Sequence, residues 1–255
     1  LYNSILNTLI IGKKIIYLPS CHSTNDIAAE LVHNGLAEEG TIVITDNQVG
    51  GRGQRGAKWH TEPSQNLTFS VVLRPGFIPI GEQFLISQMV ALAIYHYLSL
   101  YTREVFIKWP NDIYIASKKI SGTLIENAIQ GASLSYSVVG IGININQLHF
   151  DSSAVTSLAK VSGHSFSLPE ELAKIARLLD AGYLKLKSLR QQETIRSEYL
   201  QHLYGYQQAL PFIYNNKRIA GTVTGVTHAG KLCMAIAGRA GISEFGLKEI
   251  EWVWD

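Results

Sequence analysis

"SVVGIGININ", Ser137 to Asn146, reads as a strand with two unlike faces. Successive side chains of an extended chain point to opposite sides. Val139, Ile141, Ile143 and Ile145 therefore share one face, and Gly140, Gly142, Asn144 and Asn146 share the other. The aliphatic face belongs in a core. On the opposite face two successive positions carry no side chain, as a strand requires where another group approaches its backbone closely. A packed helix would satisfy the glycines alone; the amides that follow favour a polar ligand.

Working outward, "IIYL" (15–18), "TIVITD" (41–46), "NLTFSVVL" (66–73), "VFIKW" (105–109), "IYI" (113–115) and "KKISGTLIE" (118–126) are further strand candidates, rich in β-branched and aromatic residues. Helices are expected over 23–35, 84–101, 167–189 and 192–204. Ser23, Thr24 and Asn25 are good N-cap types and Gly35 a natural stop, while Ser167 followed by Pro169 opens the third helix. From about Ala209 the pattern changes to short strands, with "YNNKR" (214–218) and "HAGK" (228–231) as hairpin turns. This organisation predicts an α/β (α+β) fold: a mixed sheet with packed helices over residues 1–206 and a small all-β domain over 207–255.

Composition excludes several classes. Among 255 residues, 22 basic side chains face 20 acidic ones, leaving no broad positive field for nucleic acid. Cys21 and Cys233 form neither a disulfide framework nor a metal spacing, and are expected as reduced thiols. The apolar run 84–101 carries Ser87, Gln88, His96 and Ser99, so it reads as a buried helix rather than a membrane span. No basic start or cleavage site marks a signal peptide, and a soluble cytoplasmic protein is expected.

Two stretches carry charge where it needs a reason. "GGRGQRG" (50–56) satisfies G-x-G-x-x-G through Gly51, Gly53 and Gly56, but no helix follows, as a dinucleotide fold demands. A nucleoside-triphosphatase loop requires Lys-Ser or Lys-Thr after Gly56, and Ala57-Lys58-Trp59 stand there. What survives is a mobile cationic flap between two strands that closes over an anion, with an ordinary charged surface turn as the plain alternative. In "VFIKWPNDIYI" (105–115), Lys108 and Phe106 face away from Val105, Ile107 and Trp109, and Pro110-Asn111-Asp112 turns the chain. An ammonium on so apolar a strand must reach water or meet an anion.

"STND" (23–26), "GRGQRG" (51–56), "KWPND" (108–112), "KKISGTLIE" (118–126) and "VVGIGININ" (138–146), in this order, resemble the biotin–protein ligases, also called biotin–[acetyl-CoA-carboxylase] ligases. The resemblance covers nearly the whole chain after the first dozen residues. It implies a catalytic domain of the biotin and lipoate ligase superfamily followed by an SH3-like β-barrel. It also implies ATP-dependent ligation of biotin, through biotinyl-5′-AMP, to a lysine of a biotin carboxyl carrier protein or domain of acetyl-CoA carboxylase or a related carboxylase. Mg²⁺ accompanies the ATP; its protein ligands are unassigned.

Carried over residue by residue, the resemblance makes Lys108 and Arg52 the catalytic cations and sets Ser23, Thr24, Asn25 and Gln48 around the ureido ring of biotin. Gly51, Arg52, Gly53 and Gln54 become the flap, Gly140, Gly142 and Asn144 the strand beneath the ligand, and Trp59 a neighbour of the loop's exit. Several members read "GRGRRG" where this chain has Gln54; Arg55 or Lys118 would have to compensate. So few residues precede the catalytic region that a short form is expected, without a DNA-binding module and with neither nucleic-acid nor membrane partners. A homodimer is compatible with the family. The rivals are a lipoate or octanoyl ligase or transferase of the same superfamily and a non-catalytic biotin sensor.

Overall fold

The computed structural model describes Tyr2, residues 7–131 and residues 133–253; the side chain of Arg55 lies outside the described residues. The chain opens with β1 (Ile15–Cys21), α1 (Thr24–His33), β2 (Ile42–Gln48) and β3 (Leu67–Leu73). Next come α2 (Phe84–Leu98), β4 (Val105–Lys108), β5 (Asp112–Ile115), β6 (Lys118–Gln130) and β7 (Ser133–Ile143). α3 (Leu158–Ser162), α4 (Leu168–Leu186) and α5 (Leu189–Gln201) precede β8 (Ala209–Tyr214), β9 (Lys217–Val226), β10 (Leu232–Ile236), β11 (Ile242–Phe245) and β12 (Glu251–Trp252).

The first seven strands form one mixed sheet in the order β1-β2-β3-β7-β6-β5-β4. β1 and β2 are parallel and the remaining neighbours antiparallel. Alternation along β7 places Val139, Ile141 and Ile143 in the core with Phe69 and Val71 of β3, as the sequence pattern requires. α2 is apolar on nearly all sides because it is enclosed by the sheet on one side and by α4 and α5 on the other. α1 lies on the opposite face, where Ala28 packs against Val43, Val72 and Val138.

The last five strands form an antiparallel sheet in the order β11-β10-β9-β8-β12. Its first hairpin turns on Asn215 and Asn216, whose φ values of 48° and 57° match the twist of the flanking strands. Among the described residues no helix is long and apolar enough to cross a membrane.

The helix starts differ from expectation. Ser23 and Ser167 occupy N-cap positions, but neither side chain makes a cap hydrogen bond. In α4 the proline in the first turn and the acidic Glu170 and Glu171 supply the start signal instead. The short α3, where the Ser157 hydroxyl does accept from the Lys160 amide at 3.2 Å, was not foreseen.

Two ties fix what surrounds the sheet. β4 would be a bare edge, but the end of α5 covers it: the Ile107 amide donates to His202 O at 2.9 Å and the Tyr204 amide donates to Ile107 O at 2.8 Å. The buried Asp180 carboxylate of α4 accepts the amides of Leu9, Ile10 and Ile11, each at 2.8 Å. Asp180→Ala orphans these donors, so a loss of about 2–4 kcal/mol in unfolding free energy is expected by urea denaturation. A change below about 0.5 kcal/mol would contradict this account of the tie.

Candidate active site

A cavity of about 430 Å³ opens on the α1 face of the large sheet. Its floor follows from strand register. Ser70 of β3, Gly140 of β7 and Leu124 of β6 form one row across the sheet; Thr68, Gly142 and Gly122 form the next. With glycine at three of these six positions the floor lies close to the backbone.

Side chains of the protein itself come down onto it. A methyl group on Gly140 would stand 2.3 Å from Asn25 Oδ1, and one on Gly142 would stand 2.3 Å from the Trp59 ring. The close approach read from the glycines is therefore made by α1 and by the loop after β2. The Trp59 indole N–H is buried and has no hydrogen-bond partner among the described residues.

One corner is neutral and polar. Ser23, Thr24 and Asn25 enter it from the start of α1 and are all buried. Gln48, at the end of β2, accepts from the Thr24 amide at 2.8 Å and from its hydroxyl at 3.3 Å. The Ser70 hydroxyl lies 2.7 Å from Thr24 Oγ1 and 2.6 Å from Asn25 Oδ1. Asn25 Nδ2 in turn donates to Glu126 Oε2 at 2.6 Å and to Leu124 O at 3.3 Å. Alternating hydroxyls and amides of this kind can serve both donors and acceptors of an uncharged ligand.

The opposite wall is cationic. Lys108 Nζ lies 3.4 Å from the Tyr114 hydroxyl and 5.2 Å from the centre of its ring. The turn after Lys108 is clamped from two sides. Tyr199 of α5 donates to Pro110 O at 2.7 Å, and Trp109 Nε1 donates to Gly230 O of the second sheet's hairpin at 2.9 Å. Lys119 joins Asp112 at 2.7 Å beside Lys108.

Burial pushes the Lys108 ammonium below the usual lysine range; the Asp112 carboxylate opposes this, the Lys119 charge adds to it and Glu251 opposes it again. A cation with a lowered pKa loses its charge at a lower pH than an ordinary lysine. Asp112→Asn removes the larger opposing charge, so the Lys108 titration should move further down, read by nitrogen-detected NMR of the ammonium. An upward shift would contradict the assignment of causes.

The glycine-rich loop closes on itself as a tight turn. The Gly53 amide donates to Ala57 O at 2.6 Å, the Trp59 amide donates to Gly51 O at 3.0 Å, and Arg52 pairs with Lys58 as an isolated antiparallel bridge. A short 3₁₀ turn spans Gln54–Gly56.

The cavity thus gathers ten of the residues expected in the site: Ser23, Thr24, Asn25, Gln48, Arg52, Gly53, Gln54, Lys108, Gly140 and Gly142. Gly51 and Asn144 stand apart from its wall. Gly51 is needed because a methyl there would meet Trp59 O at 2.3 Å. β7 ends at Ile143, and Asn144 instead ties two segments: its side chain donates to Thr156 O at 3.0 Å and its amide to Ile120 O at 3.0 Å. Lys118 is exposed, and it is Lys119 that lines the cavity.

Sequence reading left the role of the C-terminal barrel open between closure over the ligand and carrier docking, and named none of its residues in the site. Leu247, Lys248, Ile250, Glu251 and Trp252 close one side of the cavity, and Trp252 lies 6.3 Å from Trp109, ring to ring. Nothing local in their sequence signals this, because the placement depends on the docking of one sheet against the other. Burial pushes both thiols, Cys21 and Cys233, above the ordinary cysteine range, so neither is an activated nucleophile.

Comparison with known proteins agrees with this geometry. "Bifunctional ligase/repressor BirA" of Bacillus subtilis (strain 168) is 34% identical over 164 residues, 62% of this chain and 50% of the relative. The chain spans about half the length of these curated relatives of the repressor type. "Biotin--[acetyl-CoA-carboxylase] ligase" of Mycobacterium tuberculosis is 24% identical over 88% of this chain and 84% of its own. Among solved structures, the biotin protein ligase of Aquifex aeolicus in complex with biotin and ATP superposes with a TM-score of 0.76 at 25% identity, covering 94% of this chain and 98% of that one. Residues 17–144, half of the sequence, match the model of the biotin/lipoate A/B protein ligase family, and the chain belongs to that family.

Proposed function

We propose that the protein joins biotin to a lysine of a biotin carboxyl carrier protein or domain, by way of biotinyl-5′-AMP. The observation that carries this reading is the meeting, in one cavity, of a neutral hydrogen-bonding corner at Ser23, Thr24, Asn25 and Gln48 with a cationic wall at Lys108 and Lys119. Biotin has a neutral ureido ring at one end and a carboxylate at the other, and these two environments suit them. The Aquifex ligase that superposes on 94% of this chain was solved with biotin and ATP bound.

In the first step a carboxylate oxygen of biotin attacks the α-phosphorus of ATP; the new P–O bond forms as the bond to the β-phosphate oxygen breaks and pyrophosphate leaves. Two anions must come together, so fixed positive charge at the meeting point lowers the barrier. Lys108 is that charge, held on the strand by the clamps on its turn, and Arg52 adds to it from the loop. In the second step the lysine amine of the carrier attacks the anhydride carbonyl, AMP leaves, and the amide remains. Positioning and charge neutralisation suffice, with no covalent bond to the enzyme.

Among the described residues no group of three metal-ligating side chains exists. Two carboxylates line the cavity, Asp112 beside Lys119 and Glu251 from the second sheet, and so sparse a set suits a Mg²⁺ ion carried in on the nucleotide's phosphates. Asp112 would hold it; when bound, the ion neutralises phosphate charge. The division near Tyr206 into a catalytic domain and a barrel that closes over the site belongs to the same proposal.

Incubating the chain with biotin, Mg-ATP and an acceptor domain tests the reading. The acceptor should gain the mass of one biotinyl group, with excess lipoate failing to compete; an unmodified acceptor points to a sensor, and effective competition to the lipoate branch. Gln54 supplies no charge to the loop, so Gln54→Arg should retain the adenylate longer. Quenched assay of free biotinyl-adenylate is expected to show a severalfold drop in leakage, and unchanged leakage counts against the loop as its lid.

A further inference from the structure

Two of the motifs in this sequence end on acidic residues that the chemistry above leaves unused, and the fold brings both to Arg52 of a third motif. Asp26 is the last letter of "STND" and Glu126 the last of "KKISGTLIE". Arg52 Nη2 forms an ion pair with Asp26 Oδ1 and stands 3.5 Å from Glu126 Oε1. The same Glu126 carboxylate receives the Asn25 amide through its other oxygen at 2.6 Å. One carboxylate therefore touches the neutral corner with one oxygen and faces the cationic loop with the other.

Resting on the ligase reading, the geometry points to Asp26 and Glu126 as positioning residues that hold the Arg52 guanidinium at the rim of the cavity, in competition with the phosphates of the nucleotide. A guanidinium with two carboxylates beside it has its charge already answered. An incoming phosphate must replace at least one of them, and the exchange is cheap enough to happen because all three side chains are about half exposed. Arg52 is in this way kept ordered and near its target without being committed to it. Carboxylates also suit this waiting position better than neutral groups: guanidinium binds carboxylate and phosphate through the same fork of N–H donors, so the exchange preserves geometry.

The consequence has a sign opposite to that of an ordinary supporting contact, because removing a competitor should improve nucleotide binding. Asp26→Asn is the principal variant, and Glu126→Gln, which keeps an acceptor for Asn25, is the second. Each is expected to lower the KM for ATP about two- to fivefold in pyrophosphate exchange, the range of an exposed ion pair, with the KM for biotin unchanged. A general rise in positive potential would also favour ATP, so the decisive comparison is made in an Arg52→Gln background. There Asp26→Asn should have no effect.

Calorimetric titration of the same four proteins (wild type, Asp26→Asn, Arg52→Gln and the double variant) with inorganic pyrophosphate reads the competition without turnover. Tighter pyrophosphate binding in Asp26→Asn that disappears in the double variant supports the inference. An unchanged or weakened affinity, or a gain that persists without Arg52, overturns it. Absence of exchange in the wild type would instead strike the ligase reading, and the titration would still decide the role of Asp26.

Discussion

Lys108→Ala is expected to slow formation of the acyl-adenylate about a hundred- to a thousandfold, the usual loss when a charge aimed at a developing anion is removed. The side chain projects from a strand whose other face, Val105, Ile107 and Trp109, is buried, so the backbone at Lys108 is fixed by packing that the mutation leaves alone. The helix end covering β4 and the clamps on Trp109 and Pro110 also act through neighbouring residues. Circular dichroism and melting should therefore be nearly unchanged while single-turnover synthesis collapses. With the ammonium gone, the site loses its strand-borne charge, and two of the cations that still line the cavity, Arg52 and Lys119, are partly answered by carboxylates. An unaltered rate of adenylate synthesis would remove Lys108 from the mechanism.

Gly140→Ala tests the floor. The added methyl would lie 2.3 Å from Asn25 Oδ1, a distance no real contact tolerates. Asn25 cannot easily yield, since its amide is engaged by Ser70, Glu126 and Leu124 at 2.6, 2.6 and 3.3 Å. Either β7 shifts or α1 lifts its first turn out of the neutral corner. The expected result is biotin affinity weakened about ten- to a hundredfold by calorimetry, with a stability loss of about 1–3 kcal/mol. Adding Asn25→Gly to Gly140→Ala separates the two effects: it should recover much of the stability, because the clash is gone, and none of the biotin affinity, because the amide is gone too. Biotin binding of wild-type strength in Gly140→Ala would show that the corner is not the ligand's seat.

Much of the cavity was legible in the sequence, and for local reasons. Period-two alternation in "SVVGIGININ" placed Gly140 and Gly142 on one face and the aliphatic residues in the core, and the structure keeps that division. The same alternation set Lys108 opposite Ile107 and Trp109. Asn144 shows where the pattern stops being informative: it continues the alternation on paper, but the strand has ended one residue earlier, and its amide serves the Thr156 segment instead. The choice between Lys118 and Lys119 was equally beyond local reading, since adjacent lysines on a strand differ only in the face the register gives them.

By itself, the sequence determined which of the longer strands and helices form and which face of each is apolar, because backbone sterics and side-chain alternation act over a few residues. It also marked most of the charged and amide groups of the site, though not Lys119, Lys248 or Glu251. The tertiary structure alone decided what meets what: that Asn25 and Trp59 come down onto the two glycines, that Asp26 and Glu126 converge on Arg52, and that Glu251 and Trp252 close the cavity from the second sheet. Those contacts join residues as far apart in the chain as Asn25 and Glu126, and only the order of strands in the sheet and the docking of the two sheets bring them within reach.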